Sequence, residues 1–187
     1  MTKHMRFLYL FLAVGLVFFA QSCEDDDDPI IENEEEVITR VTYTLTPDDS
    51  ANETVVFSFV DVDGEGGNDG VTTVTGTLAA DASYSGAITF ANEDEQITPE
   101  VMEEDDEHQV FYEVFGGAAF TPVYADSDGD GNPLGLATTV TTGGASVGSL
   151  RITLRHEPMK GAAATIDNPT AAGGETDVEV TFALAIQ

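Results

Sequence analysis

Basic residues are scarce in this chain: Lys and Arg number 6 against 35 Asp and Glu, giving a formal net charge of −29 over 187 residues. Lys3 and Arg6 both fall within the first 22 residues, which hold no acid, so removing that segment takes the charge from −29 to −31. Such a surface repels phosphate backbones, which excludes nucleic acid as a partner and favours cations and basic surfaces. Cysteine is nearly absent too. Cys23 stands alone, so no disulfide can form within the chain. There is no internal repeat, almost no helical periodicity, and no apolar run of the roughly 20 residues that a membrane-spanning helix needs.

The one apolar run, Phe7 to Ala20, follows Lys3, His4 and Arg6 and ends among small residues. That is the form of an export signal over residues 1–22. Ala20-Gln21-Ser22-Cys23 resembles a relaxed bacterial lipoprotein box, which implies acylation of Cys23. The following Glu24-Asp25-Asp26-Asp27-Asp28-Pro29 resembles the acidic tether of Bacteroidota lipoproteins carried to the outer face of the outer membrane. As bare physics, residues 23–36 are a solvated, self-repelling flexible linker. The expected location is the outer membrane, lipid-anchored and exposed at the cell surface.

Residues 37–187 are expected to form one domain. Short β-branched segments alternate apolar and polar residues and are punctuated by Gly, Asn and Asp. About eight or nine strands are expected, from the candidates Val37 to Leu45; Thr54 to Val62; Val74 and Leu78; Tyr84 to Phe90; Val110 to Val114; Phe120 to Tyr124; Leu134 to Val140; Leu150 to Leu154; and Val178 to Ile186. The second reads as central, and the third and fourth as a hairpin through Ala80-Asp81-Ala82-Ser83. Thr98-Pro99-Glu100 has the form of a helix start, with Thr98 as the capping hydroxyl and a short acidic helix running to Asp106. The expected fold is all-β, a two-layer antiparallel sandwich of immunoglobulin-like or Greek-key type.

Asp126-Ser127-Asp128-Gly129-Asp130-Gly131-Asn132 spaces three carboxylates two residues apart before a glycine turn, like the first half of a calcium loop. The twelfth position of an EF-hand count is Ala137 and the flanks read as strands, so an EF-hand is excluded. The same letters also suit a turn that uses Asp and Gly for side-chain-to-backbone bonding and positive φ. A second acidic turn, Asp61-Val62-Asp63-Gly64-Glu65-Gly66, could share an ion with it or could be simple hairpin chemistry.

His108 lies in phase with Val110 and Tyr112, and His156 with Leu154 and Ile152. His108 opens its strand and His156 closes its own, so antiparallel neighbours would bring both imidazoles to one end of a sheet. With Glu107 and Glu157 beside them, they suit zinc or another transition metal; the alternative is that each caps a strand edge and bonds locally. Arg151, Arg155 and Lys160 are three of the four cationic residues beyond residue 22. Arg151 and Arg155 share the face opposite Leu150 and Ile152 and are expected to neutralise the acidic helix region Glu103 to Glu107, or else to hold an anionic ligand.

No active site emerges. Gly144-Ala145-Ser146-Val147-Gly148 has the letters of a nucleophile elbow, but no acid lies between Ser146 and His156 and the surroundings read as a β-hairpin, not a strand-to-helix turn. The acidic run Glu93 to Glu107 is sequence-local, the pattern of a charged surface.

The tether, Asp61-Val62-Asp63-Gly64, Glu107-His108-Gln109, Asp130-Gly131-Asn132-Pro133-Leu134-Gly135-Leu136 and Leu154-Arg155-His156-Glu157-Pro158 together resemble a family of small acidic flavobacterial surface lipoproteins. Its members are often labelled "type 1 periplasmic binding fold superfamily protein". That label implies two α/β lobes, which the length and strand periodicity here do not support, and the resemblance supplies no catalytic residues. The functional expectation is a non-catalytic, cell-surface binding module for a divalent metal or metal-bearing nutrient, associated with an outer-membrane uptake receptor. The alternative is a structural or adhesive surface protein with at most a loop-stabilising calcium ion.

Overall fold

The computed structural model describes residues 37–61, 70–93, 95–161 and 164–187. The expected signal segment, Cys23, the tether and most of the Asp61 to Gly66 turn lie outside them. Nine strands and two short helices follow in the order β1 (Arg40–Pro47), β2 (Val55–Val60), β3 (Val71–Thr75), β4 (Ser83–Ala91), α1 (Thr98–Glu103), β5 (His108–Phe115), β6 (Phe120–Tyr124), β7 (Ala137–Thr142), β8 (Ser146–His156), α2 (Pro169–Ala172) and β9 (Glu175–Ile186). They form two antiparallel sheets, one of six strands ordered β3-β2-β1-β4-β7-β6 and one of three ordered β5-β8-β9. The fold is the expected all-β sandwich.

Within the large sheet, β4 returns to lie beside β1, giving the spatial order of a Greek key. The expected hairpin between the third and fourth strands is therefore incorrect: among the described residues β3 pairs only with β2, and β4 pairs with β1 from Arg40↔Ala91 to Pro47↔Tyr84. The segment around Ser146 is likewise no hairpin. It carries the chain from β7 in one sheet to β8 in the other, where Ser146 Oγ accepts from Ala119 N at 2.9 Å and donates to Gly144 O at 3.1 Å.

Alternation places Val41, Tyr43, Leu45, Val55 and Phe57 of the large sheet against Tyr112, Leu150, Ile152, Val180 and Phe182 of the small one, in one buried core. Tyr43 and Tyr112 lie 5.2 Å apart, and Phe57 meets Phe182 edge-on at 5.6 Å. Tyr43 also bonds Thr138 Oγ1 at 2.6 Å. Gly86 makes that approach possible, since a Cβ there would lie 2.6 Å from the Tyr43 hydroxyl oxygen.

Helix α1 ends at Glu103, short of the expected Asp106, and its N-cap is Ile97. Thr98 does not cap it. Its hydroxyl instead accepts from Phe90 N at 2.8 Å and approaches Phe90 O at 3.1 Å, fastening the helix to the end of β4. Two strand expectations also shift: Leu78 lies beyond β3, in an isolated parallel bridge to Ile186, and Leu134 and Leu136 precede β7. The connection from β8 to β9 folds over the outer side of the small sheet, where Ala164 and Ala172 bury Phe111.

Candidate functional site

His108 and His156 are direct cross-strand partners at the end of the β5-β8 pair. The alternation that aims Val110 and Leu154 into the core aims both imidazoles inward as well, and both residues are buried. Their rings stack with centroids 4.8 Å apart and planes 10° from parallel. The shared end expected from phase alone is thus what the fold produces.

Carboxylates surround the pair. Glu104 closes α1, and its carbonyl lies 3.1 Å from His108 Nδ1, with its own Oε2 3.9 Å from the same nitrogen. Glu107 Oε2 lies 3.8 Å from His156 Nε2. On the far side, Asp177 Oδ2 lies 3.9 Å from His108 Nε2, with both side chains buried. Burial depresses the His108 pKa below its usual 6.5, and the Glu104 carbonyl, which pulls upward, does not offset it.

Asp177 was not legible as a site residue. In an unbroken β9 it would share the outer face with Glu179, away from the core. A register shift opposite Leu154 and Arg155 pairs Arg155 with Thr176 and Leu154 with Val178, leaving Asp177 as the extra residue of a bulge. Bulges re-aim side chains, and this one carries the carboxylate inward. Gly174 prepares the turn into β9: its φ is +72°, and a Cβ there would lie 2.9 Å from Pro158 N.

The other expected ligands are not in the cluster. Glu157 is exposed and takes a left-handed φ of 50°. It contributes its backbone N–H to Glu107 O at 2.7 Å. Asp126 accepts from Gly135 N at 2.7 Å and Ala137 N at 2.8 Å. Asp128 accepts from Asp130 N at 3.0 Å, Asn132 N at 2.7 Å and Lys160 Nζ at 3.0 Å. Burial raises the Asp128 pKa, but the Lys160 ammonium and Asn132 outweigh it and hold the carboxyl below its usual value. Asp130 is exposed. The loop's two inner carboxylates thus face amides and an ammonium, donors that occupy the directions a calcium cage would use.

The cationic residues divide. Lys160, for which no such role was expected, reaches the helix region, donating to Asp105 O as well as to Asp128. The arginines do not, contrary to expectation. Arg151 forks onto Glu113 with two bonds of 2.8 Å, which raises its pKa further, and Arg155 bonds Thr176 Oγ1 at 2.5 Å.

Among the described residues no three His, Cys, Asp or Glu are already drawn into a metal-ligating group. What the fold assembles is two histidine–carboxylate pairs side by side, each separated by more than a hydrogen bond. No family model, curated protein or solved structure matches the chain.

Proposed function

We propose that this protein is a non-catalytic binding module, displayed on the outer membrane by a lipid on Cys23, that captures a divalent metal or a metal-bearing nutrient for an uptake receptor. The observation that carries this reading is the pairing of His108 with His156 beside Glu104, Glu107 and Asp177. Imidazole nitrogen with carboxylate oxygen is the donor set of zinc and its neighbours. The strongly acidic chain would concentrate such cations near the site. Display at the surface rests on the signal-like residues 1–22 and the acidic stretch after Cys23.

Calorimetric titration of the purified full chain with zinc, copper and calcium tests the reading. One-to-one binding of a transition metal, lost in the His108→Ala/His156→Ala double variant, is the expected outcome. Heat no greater than nonspecific charge neutralisation would overturn it.

A separate observation favours the second reading, an interaction protein. The outward face of the large sheet carries hydroxyl rows in register, such as Thr73-Ser58-Thr42-Thr89, with Arg40 at one end and no acid on the strands themselves. In so acidic a chain, that is a face on which an uncharged or anionic partner could settle.

A further inference from the structure

We infer that the metal-anchoring pair is His108 Nε2 with the Asp177 carboxylate, that the ion is a late first-row divalent metal of the zinc and copper class, and that His156 is a positioning residue. This rests on the metal-capture reading above and narrows it to particular atoms.

The tautomer comes first. The Glu104 carbonyl, 3.1 Å from His108 Nδ1, can only accept, so Nδ1 carries the hydrogen and the neutral ring presents its lone pair at Nε2. A ligating histidine is usually oriented this way, its other nitrogen donating to a carbonyl. Among the described residues Nε2 has no hydrogen-bond partner, on a side chain only 1% exposed.

Facing it is a carboxylate oxygen at 3.9 Å. A neutral imidazole nitrogen and a carboxylate oxygen are both acceptors, so a cation placed between them would be bound by both. A proton bridges donors and acceptors about 2.7–3.2 Å apart, so 3.9 Å is too long for one. An ion holding nitrogen and oxygen at about 2.0–2.2 Å each spans up to roughly 4 Å, and a tetrahedral angle would draw the pair together by about half an ångström. Calcium prefers an all-oxygen shell, which a histidine nitrogen does not offer.

His156 stands differently. Parallel rings 10° apart place their lone pairs in parallel planes, so the two imidazoles do not converge on one point. Its Nε2 faces Glu107 at 3.8 Å, and its ring face fixes the plane of His108.

The test uses zinc chloride in calorimetry and cobalt chloride in visible absorption on the full chain and three variants, with circular dichroism and melting in chelator as folding checks. His156→Phe keeps the stacking ring and should bind zinc within about 3-fold of the parent. His108→Phe and the near-isosteric Asp177→Asn should each weaken binding more than ~10-fold and abolish the cobalt d–d bands. If His108→Phe fails to fold, Asp177→Asn decides. Unchanged binding in Asp177→Asn with loss in His156→Phe would overturn the assignment and leave a site shared by the histidines. A parent that binds neither metal would remove the metal-capture reading itself.

Discussion

His108 and Asp177 lie on the two outer strands of a three-stranded sheet, yet their side chains approach to 3.9 Å across the end of β8. The approach needs two independent local features. The Glu104 carbonyl orients the His108 ring from the helix side, and the bulge at Asp177 turns a carboxylate inward from β9. Between them the His156 ring supports the arrangement by stacking. A buried histidine and a buried carboxylate are each costly alone, so their placement at one point makes this end of the sandwich less tolerant of change than the exposed strand β3.

Acidification should destabilise the metal-free domain through His108. Its folded pKa lies below the unfolded value of 6.5 because burial favours the neutral ring. Between those two values the unfolded chain binds more protons, so stability is lost as pH falls below about 6.5 and the loss levels off beneath the folded pKa. Glu104, Glu107, His156, Lys160 and Asp177 all face this ring, and their charges are part of the measured slope. Melting in chelator from pH 7.5 to 5.5 should show a falling midpoint, with a shallower fall in His108→Gln. A midpoint that rises on acidification would instead mean that His108 gains a proton in the fold as the partner of Asp177.

Lys160 and Asp128 form a second buried joint, 3.0 Å apart with side chains 6% and 0% exposed. It ties the segment after β8 to the loop before β7. Removing one partner of such a pair leaves the other charge uncompensated and costs about 3–5 kcal/mol. Lys160→Met should therefore lower the melting midpoint by roughly 6–20 °C for a domain of this size. Adding Asp128→Asn to Lys160→Met should recover part of that loss, because the stranded carboxylate is gone. A Lys160→Met variant that melts with the parent would show the pair to be solvated in practice.

The strand count, the sandwich and the meeting of the histidines were legible because each rests on period-two alternation: Val110 and Leu154 announce the face that His108 and His156 share. Pairing between distant strands was not, since nothing local to β4 says that it will lie beside β1 and not β3. Asp177 was hidden for a sharper reason. One extra residue reverses the face to which a side chain belongs, and no residue type marks the bulge. Thr98 misled because a hydroxyl before Pro99 is equally good at capping a helix and at gripping a neighbouring strand, and the Phe90 backbone decided between them.

Calcium should leave the domain's stability unchanged despite the motif at Asp126, Asp128 and Asp130. The oxygens of Asp126 each accept a backbone N–H, and Asp128 is shared among two amides, Asn132 and Lys160. A calcium ion would have to displace these donors and leave the buried Lys160 ammonium facing a like charge, and Asp130 alone stays exposed as a ligand. An ion that bound only the folded state at 100 times its Kd would add about 2.7 kcal/mol, a shift of several degrees at this size. Melting the full chain in millimolar calcium and in chelator should give midpoints within about 1 °C of each other. A calcium-dependent rise that survives Asp130→Asn would direct attention away from this loop, whereas one abolished by that substitution would show that the loop opens to take the ion.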